Sequence, residues 1–357
     1  MKFRKSLKRV FLGLLAVVIL TLPGSLSAQH AKVPFTHMST PFGTPQYTVA
    51  VAFEEVFKKS GSWLQWKAQE TPGAMYMIRY SFLNRAKMAA GLVPQIGALA
   101  GAGGLPYIVE GRPPFKKFKI PSSRAAFSMP SYATVFVTFD PTIKTLKDLE
   151  GKKVGIAEKS RPFQSTIALA PYFRKGLKNW SKIDWQFLGT ANSKDALLNN
   201  KIDVHYATFM GSVEVAADGS YYSKALAPGP GILQLMNAGR KLYFIPWDPV
   251  VLKKATDFSK DMIAYPLLIE KGTIQGLNVD LWSRVTTGIF QLDESVPDDV
   301  IEEMIRVRQE YRKELGRYHA ILKLMPDNPY PLGTPEHLVH PGVKKAMRNL
   351  GIPIPVE

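Results

Sequence analysis

The most constraining feature of the sequence is a repeated alternation of short apolar segments with longer segments of helical periodicity. Val33 to Met38 has the composition of a strand, and residues 39–45 are rich in turn formers. In the next segment, Tyr47 to Lys58, apolar side chains recur at helical spacing on one face. Strand, loop and helix return in the same order at Val154 to Ala157 and after Ser160. This alternation predicts an α/β fold with parallel sheets and helices on both faces.

Four further segments carry local predictions. A short helix is expected at Lys144 to Leu149 and a further helix at Val213 to Ala225. Strands are expected at Val135 to Phe139 and Trp282 to Phe290, which are rich in β-branched and aromatic residues.

The first 28 residues have the three-part plan of a secretory signal peptide. A basic segment, Lys2 to Arg9, precedes an apolar run of eleven residues, Val10 to Leu20, and small residues follow as far as Ala28. That run is shorter than the roughly 20 apolar residues that cross a bilayer, and a retained N-terminal anchor is the alternative. The segment predicts export to the periplasm with cleavage near Ala28–Gln29.

The charge and the lack of cysteine narrow the function classes. The net charge is +17, and residues 1–28 contribute five basic and no acidic side chains, so the mature chain carries about +12. A basic surface suits nucleic acid, an anionic ligand or a membrane, but the basic residues are scattered and export argues against nucleic acid. Without cysteine the chain forms no disulfide, thiolate metal site or cysteine nucleophile.

Catalytic motifs are missing from the sequence. It has no G-x-S-x-G and no G-x-x-x-x-G-K-[ST] segment. Leu105-Pro106 follows the glycine-rich stretch Gly101–Gly104, where a dinucleotide-binding motif requires a helix, so that stretch is predicted to be a flexible connection. His337 and His340 give only two possible metal ligands. We therefore expect no enzyme activity, no cofactor and no metal.

Three loops that precede helices are the candidate binding elements: Ser39 to Tyr47, Thr71 to Tyr76, and Lys159 to Thr166. Helix N-termini present unpaired N–H groups to anions, and loops at the carboxyl ends of parallel strands are where such folds bind ligands. Arg161 could hold a carboxylate in two-point geometry. Ordinary helix capping and core packing are the alternative. The residues predicted to bind a ligand are Ser39, Thr40, Phe42, Gly43, Thr44, Tyr47, Thr71, Gly73, Ala74, Met75, Tyr76, Ser160, Arg161, Phe163, Ser165, Thr166 and Phe209.

Three segments, taken in order, resemble one family. Ile143–Val154 (IKTLKDLEGKKV) is similar to the stretch that opens the second lobe of the solute receptors of TRAP transporters, of the TAXI type. Ala196–Asp203 (ALLNNKID) and the closing segment His340–Lys345 (HPGVKK), followed by Gly351, resemble later parts of the same family. The likeness extends from about residue 33 to residue 353.

The resemblance implies a two-lobed periplasmic binding protein, type II-like, with a ligand cleft between the lobes. Residues 29–139 plus 273–357 would form lobe I, residues 140–246 lobe II, and residues 247–272 a crossover segment. Such a receptor captures a small organic anion by hinge closure, without a chemical step, and delivers it to a TRAP membrane permease.

The three candidate loops carry bulkier residues than the family pattern, so the resemblance does not identify the solute. The extra aromatics favour an aromatic or branched carboxylate, with Tyr47, Tyr76, Phe163 and Phe209 as pocket walls. The alternatives are a periplasmic sensory protein that presents its ligand to a receptor kinase, a receptor for an ABC transporter, and an exported enzyme.

Overall fold

A computed structural model describes residues 31–42, 44–215, 221–223, 225–259 and 264–355. The signal peptide predicted at residues 1–28 lies outside this part of the chain. Among the described residues, no helix combines the length and the apolar character that a membrane crossing requires.

The strands and helices alternate through most of the chain. The strands are β1 Val33–Ser39, β2 Leu64–Glu70, β3 Gln95–Gly101, β4 Ser123–Thr138, β5 Lys153–Ile156, β6 Asp184–Phe187, β7 Val204–Gly211, β8 Glu214–Val215, β9 Tyr221–Ser223, β10 Leu226–Pro228, β11 Tyr243–Ile245, β12 Tyr265–Ile269 and β13 Leu281–Asp293. The α-helices are α1 Pro45–Lys59, α2 Ala74–Ala89, α3 Leu105–Glu110, α4 Thr166–Ala170, α5 Thr190–Leu198, α6 Pro230–Met236, α7 Pro249–Ser259, α8 Asp298–Glu310, α9 Arg312–Tyr318 and α10 Gly342–Asn349. Shorter helical turns occupy Ala102–Gly104, Phe115–Phe118, Pro162–Gln164, Pro171–Gly176, Trp180–Lys182, Ala320–Leu324 and Glu336–Leu338.

One sheet runs through the molecule in the order β2-β1-β3-β13-β4-β7-β5-β6. At one end, β2 and β3 pair in parallel with β1, and at the other end β6 and β7 pair in parallel with β5. The long strands β13 and β4 pair antiparallel with each other, and they join the two parallel regions through β3 and β7. The predicted fold class, α/β with two lobes and a cleft between them, is confirmed by this arrangement.

Both halves of the molecule share the strand β4. Its residues 123–134 pair with β13, and its residues 131–137 pair with β7. Because of this sharing, the contacts group Val33–Glu357 into one compact unit. The exact lobe boundaries, at residues 139/140, 246/247 and 272/273, therefore stay a prediction.

The core of the first half is an aromatic stack around Trp66. The indole stacks on Phe57, with ring centroids 4.5 Å apart, and on Phe53 at 5.7 Å. Both phenylalanines lie on the apolar face of α1 that the sequence pattern predicts, and this face is buried. Thr44 begins the helix, because its hydroxyl accepts a hydrogen bond from the Tyr47 N–H at 3.3 Å.

A second core lies beneath β5 and the C-terminal half of β4. Trp247 is its largest buried side chain, and its indole N–H donates to the Thr134 carbonyl at 2.7 Å. Tyr172 packs edge-on against this indole, with ring centroids 4.6 Å apart. The buried donor is therefore satisfied, as burial of an indole requires.

Two helix predictions are wrong. Residues 144–149 form turns, because the Asp148 carboxylate accepts the N–H groups of Lys144 and Thr145, at 3.0 and 2.8 Å, and so competes with helix formation. Within residues 213–225, the described parts are the strands β8 and β9, where Tyr221 stacks on Tyr265 at 4.2 Å. Pairing of β9 with β12 holds residues 221–223 in a strand.

Two further segments differ from expectation in extent or in character. The strand predicted at Val135–Phe139 is the end of the much longer β4. The stretch predicted as a flexible connection, Gly101–Gly104, contains a buried turn in which the Gly103 N–H donates to the Thr286 hydroxyl at 3.3 Å.

Candidate functional site

A cavity of about 140 Å³ opens between the two parallel regions of the sheet. Its volume is comparable to the ~150 Å³ of an apolar cavity that admits benzene. One side is built from α2, β1, β3 and β13, and the other from β7 and the loop after β5. Because both halves of the fold supply its walls, the cavity occupies the place where a two-lobed binding protein would hold its ligand.

One end of the cavity carries two cations: Arg284 is buried, at 3% exposed, and the Arg161 side chain is 11% exposed. The phenols of Tyr132 and Tyr206 line the same end. Burial raises the pKa of both phenols, so each keeps its O–H as a hydrogen-bond donor. The arrangement presents positive charge and neutral donors to whatever occupies the cavity.

Arg161 is held by the loop that follows β5. The Ser165 hydroxyl hydrogen-bonds the carbonyls of Glu158 and Arg161, at 3.3 and 3.1 Å, and the turn Pro162–Gln164 follows the arginine directly. The Arg161 Nη1 atom is 3.8 Å from a carboxylate oxygen of Glu158, which is an ion pair beyond hydrogen-bond distance. Burial lowers the pKa of the guanidinium, and Glu158 opposes this shift. The group stays charged, because an arginine pKa starts far above neutral pH.

Arg284 projects from the middle of β13. It is only 3% exposed, and burial lowers its pKa while the neighbouring Tyr206 and Tyr107 oppose the shift. The strand places it near Thr134 of β4, since Arg284 and Thr134 are register partners. Its position is therefore a consequence of the antiparallel pairing at the centre of the sheet.

The other end of the cavity is mostly apolar. Met38, Met77, Met88 and Ile96 form a small separate cluster of buried residues there. The strand β3 contributes small residues to the lining, including Ala98 and Ala100. An apolar compartment continuous with two cations suits a ligand that has an anionic group and an apolar body.

Each of the three predicted loops supplies residues to this cavity. Thr40 from the first, Ala74 from the second, and Arg161 with Phe163 from the third line it. The second and third loops meet, since a Cβ built on Gly73 would lie 3.6 Å from the Arg161 Cγ atom. The loops that the sequence singles out are therefore brought together at one place.

The remaining predicted residues lie outside the cavity lining. Thr71 and Ser39 are buried together, with the Thr71 hydroxyl donating to the Ser39 carbonyl at 2.6 Å. Phe42 is 78% exposed, and Phe209 is fully buried in the core around β7. Gly43 lies outside the described residues. The others that do not line the cavity are Thr44, Tyr47, Gly73, Met75, Tyr76, Ser160, Ser165 and Thr166. A ligand-binding role for any of the seventeen stays a prediction.

Sequence reasoning does not identify Arg284 as a site residue. The sequence feature that could have identified it is an arginine within a strand of apolar and β-branched residues, LWSRVTTGIF. Burying a charge in such a strand costs free energy unless the charge pairs with a protein group or a ligand. Gln46, Thr208 and Thr286 also line the cavity, and no motif in the sequence marks them.

A buried serine–histidine pair is present elsewhere in the fold. The Ser193 hydroxyl is 2.6 Å from His205 Nδ1, but both residues are at most 1% exposed. Burial and the charge of Lys194 lower the pKa of His205 to about 4. The pair is out of reach of a substrate. No group of three or more metal-ligating side chains occurs in the part of the chain that the structure describes.

Comparison with known proteins gives a partial family match. Residues 121–233, about a third of the chain, match the family described as NMT1/THI5 like. No curated protein sequence matches the chain.

Several solved structures of binding proteins share low similarity with the chain. A putative periplasmic sulfonate-binding protein, SsuA, from Methylobacillus flagellatus KT is 13% identical, with 90% of this chain and 94% of that one covered and a TM-score of 0.46. The alkanesulfonate-binding protein SsuA from Xanthomonas axonopodis pv. citri, bound to MOPS, is 12% identical, with 84% and 81% covered and a TM-score of 0.42. An ancestral arginine-binding protein bound to arginine is 14% identical, with 82% and 98% covered and a TM-score of 0.41.

Proposed function

We propose that the chain is an exported solute receptor that captures a small organic anion in the cavity between its two lobes. The observation that carries this proposal is the pair of cations, the buried Arg284 and the largely buried Arg161, in the lining of one cavity whose remainder is mainly apolar. A receptor needs no chemical step, and closure of the two lobes around the ligand would complete the binding site.

An anion in the cavity would offset part of the cost of placing the Arg161 guanidinium in a largely buried position. A buried cation loses its hydration and recovers stability only from opposite charge and well-aligned hydrogen bonds. Glu158 compensates Arg161 only in part, because its carboxylate is 3.8 Å away and its side chain is 45% exposed. A ligand carboxylate can accept two parallel hydrogen bonds from one guanidinium, and the Tyr132 phenol can donate a further one.

The sequence supports a location and a partner for this receptor. The segment at residues 1–28 would direct the chain to the periplasm. The resemblance of Ile143–Val154 and His340–Lys345 to TAXI receptors supports a TRAP permease as the acceptor of the solute. If a permease in vesicle membranes takes up solute that this protein delivers, that permease is the partner. If a receptor kinase responds to the ligand-bound protein instead, the role is sensory.

The binding proposal is tested on the mature chain, residues 29–357, by calorimetric titration with carboxylates and sulfonates. We expect Arg161→Gln and Arg284→Gln each to weaken binding roughly 30- to 5000-fold, which corresponds to the ~2–5 kcal/mol lost when a buried charge pair is broken. Arg317→Gln is the matched control, because the Arg317 side chain is 78% exposed.

Two results would count against the proposal. The first is the absence of binding for every anion in the panel. The second is an affinity that both cavity variants and the control leave equally unchanged, because the ligand would then bind elsewhere on the protein.

A further inference from the structure

We infer that the solute is a monoanion with an unbranched apolar chain, and that this chain lies in a methionine-lined compartment at the far end of the cavity. The methionine compartment is the part of the lining formed by Met38, Met77, Met88, Ile96 and Leu292. The inference rests on the proposed function, since the anionic end of the ligand would be held by Arg161 and Arg284.

The length of the cavity is the first argument. Arg284 and Leu292 both line it and are eight residues apart on β13. At a rise of about 3.3 Å per residue, these positions are separated by roughly 26 Å along the strand. A compact acid held at the cations would leave the far compartment empty, whereas an extended chain would reach into it.

The floor of the compartment is the strand β3. Its small residues Ala98 and Ala100 line the cavity beside Ile96, so the side chains of this strand occupy little of the cavity. Gly97 is required by packing, because a Cβ there would lie 2.3 Å from the Phe290 ring. The small side chains at Ala98 and Ala100 leave room for an unbranched ligand chain to lie along this strand.

The roof of the compartment is the helix α2. Only Met77, Ile78 and Met88 are buried among its sixteen residues, and all three line the cavity. Methionine side chains are unbranched and flexible, so they adjust to an apolar chain whose length or path varies. The helix is thus anchored mainly through residues that a ligand chain would contact.

The far end disfavours a second anionic group. The Asp293 carboxylate lines the cavity there, 3.5 Å from the Arg85 guanidinium, and it also accepts a hydrogen bond from Ser122. Gln291 donates to the Ser123 hydroxyl at 2.6 Å. These polar groups already pair with one another, so the Arg85–Asp293 pair offers a second ligand carboxylate no net positive charge. The ligand is therefore a monocarboxylate rather than a dicarboxylate.

The test is a titration of the mature protein with straight-chain monocarboxylates from butanoate to dodecanoate, below their micellar concentrations. We expect about fourfold tighter binding for each added methylene over the length that the compartment covers, from ~0.8 kcal/mol per buried CH₂. Dicarboxylates of matched length should show no such gain.

Two substitutions on α2 test where the apolar chain of the ligand lies. Ser81→Trp places an indole in the compartment, since Ser81 lines the cavity, whereas Ala86→Trp places the same group at an exposed position of the same helix. We expect Ser81→Trp to abolish the chain-length gain while butanoate still binds, and Ala86→Trp to keep it. Ala98→Leu, on the floor of the compartment, is a second filling variant that does not depend on α2 tolerating the indole.

The outcomes separate this inference from the proposed function. If short carboxylates bind but affinity does not rise with chain length, the inference is overturned and the receptor stands. A chain-length gain that persists in both filling variants overturns it as well. If no carboxylate of any length binds but a sulfonate does, the inference is overturned and the receptor stands; if neither class of anion binds, the proposed function itself fails.

Discussion

Mild acid should destabilise the protein through His37, a fully buried imidazole in an aromatic cage. Its ring meets those of Phe53, Trp66 and Phe290 edge-on, with centroids 6.3, 5.5 and 4.9 Å away. Neither ring nitrogen has a hydrogen-bond partner among the described residues. Burial lowers the pKa of His37 from 6.5 to about 3, because the cage offers nothing to stabilise the charged form.

The sign of the effect follows from proton uptake. Between pH 6.5 and about 3, the unfolded chain binds a proton at this position that the folded chain does not, so stability is lost as the pH falls. Each pH unit in this window lowers the free energy of unfolding by about 1.36 kcal/mol. Moving from pH 7 to pH 5 should therefore remove about 2 kcal/mol through His37 alone.

Urea unfolding of the wild type and of His37→Phe at pH 7 and pH 5 measures this loss. Phenylalanine fits the cage and does not titrate, so we expect the variant to lose about 2 kcal/mol less than the wild type on acidification. His205, whose pKa is lowered to about 4, titrates in the same window in both proteins and cancels in the comparison. His337→Gln, at an exposed position, is the control. Equal losses in the wild type and in His37→Phe would refute the reasoning.

Three further predictions concern stability and use the same urea assay. Thr44→Ala should cost about 1 kcal/mol, because the Tyr47 N–H loses its acceptor at the start of α1; no change would show that the cap is dispensable. Gly288→Ala should cost more than ~2 kcal/mol, because its Cβ would lie 2.1 Å from the Pro130 carbonyl oxygen and force β13 away from β4. Arg308→Met should cost roughly 2–4 kcal/mol, because the buried guanidinium donates to backbone carbonyls that would lose their partner; a neutral result would show that water replaces it.

Local patterns in the sequence predict the parts of the fold that depend on neighbours along the chain. The helix α1 is predicted from apolar spacing, and its buried face is the one expected. Strand β1 is predicted from its strand-like composition. The burial of α1 follows directly from a period of 3.6 residues, so one stretch of chain is enough to show it.

Predictions fail where distant segments compete with local preference. Residues 213–225 are predicted to form a helix, but their described parts form strands because β9 pairs with β12, more than forty residues further along the chain. The long strand β4 is predicted only at its end, because pairing with both β13 and β7 extends it.

The candidate site likewise has one part that the sequence predicts and another that it does not. The sequence by itself determined the α/β alternation and the loops before helices, including the arginine at position 161, because these depend on residue types at short spacing. Only the tertiary structure decided that Arg284 shares a cavity with Arg161. The two residues are more than a hundred positions apart, and the pairing of β13 with β4 brings them to the same cavity. No local pattern records such a pairing, because its free energy comes from contacts that exist only in the folded chain.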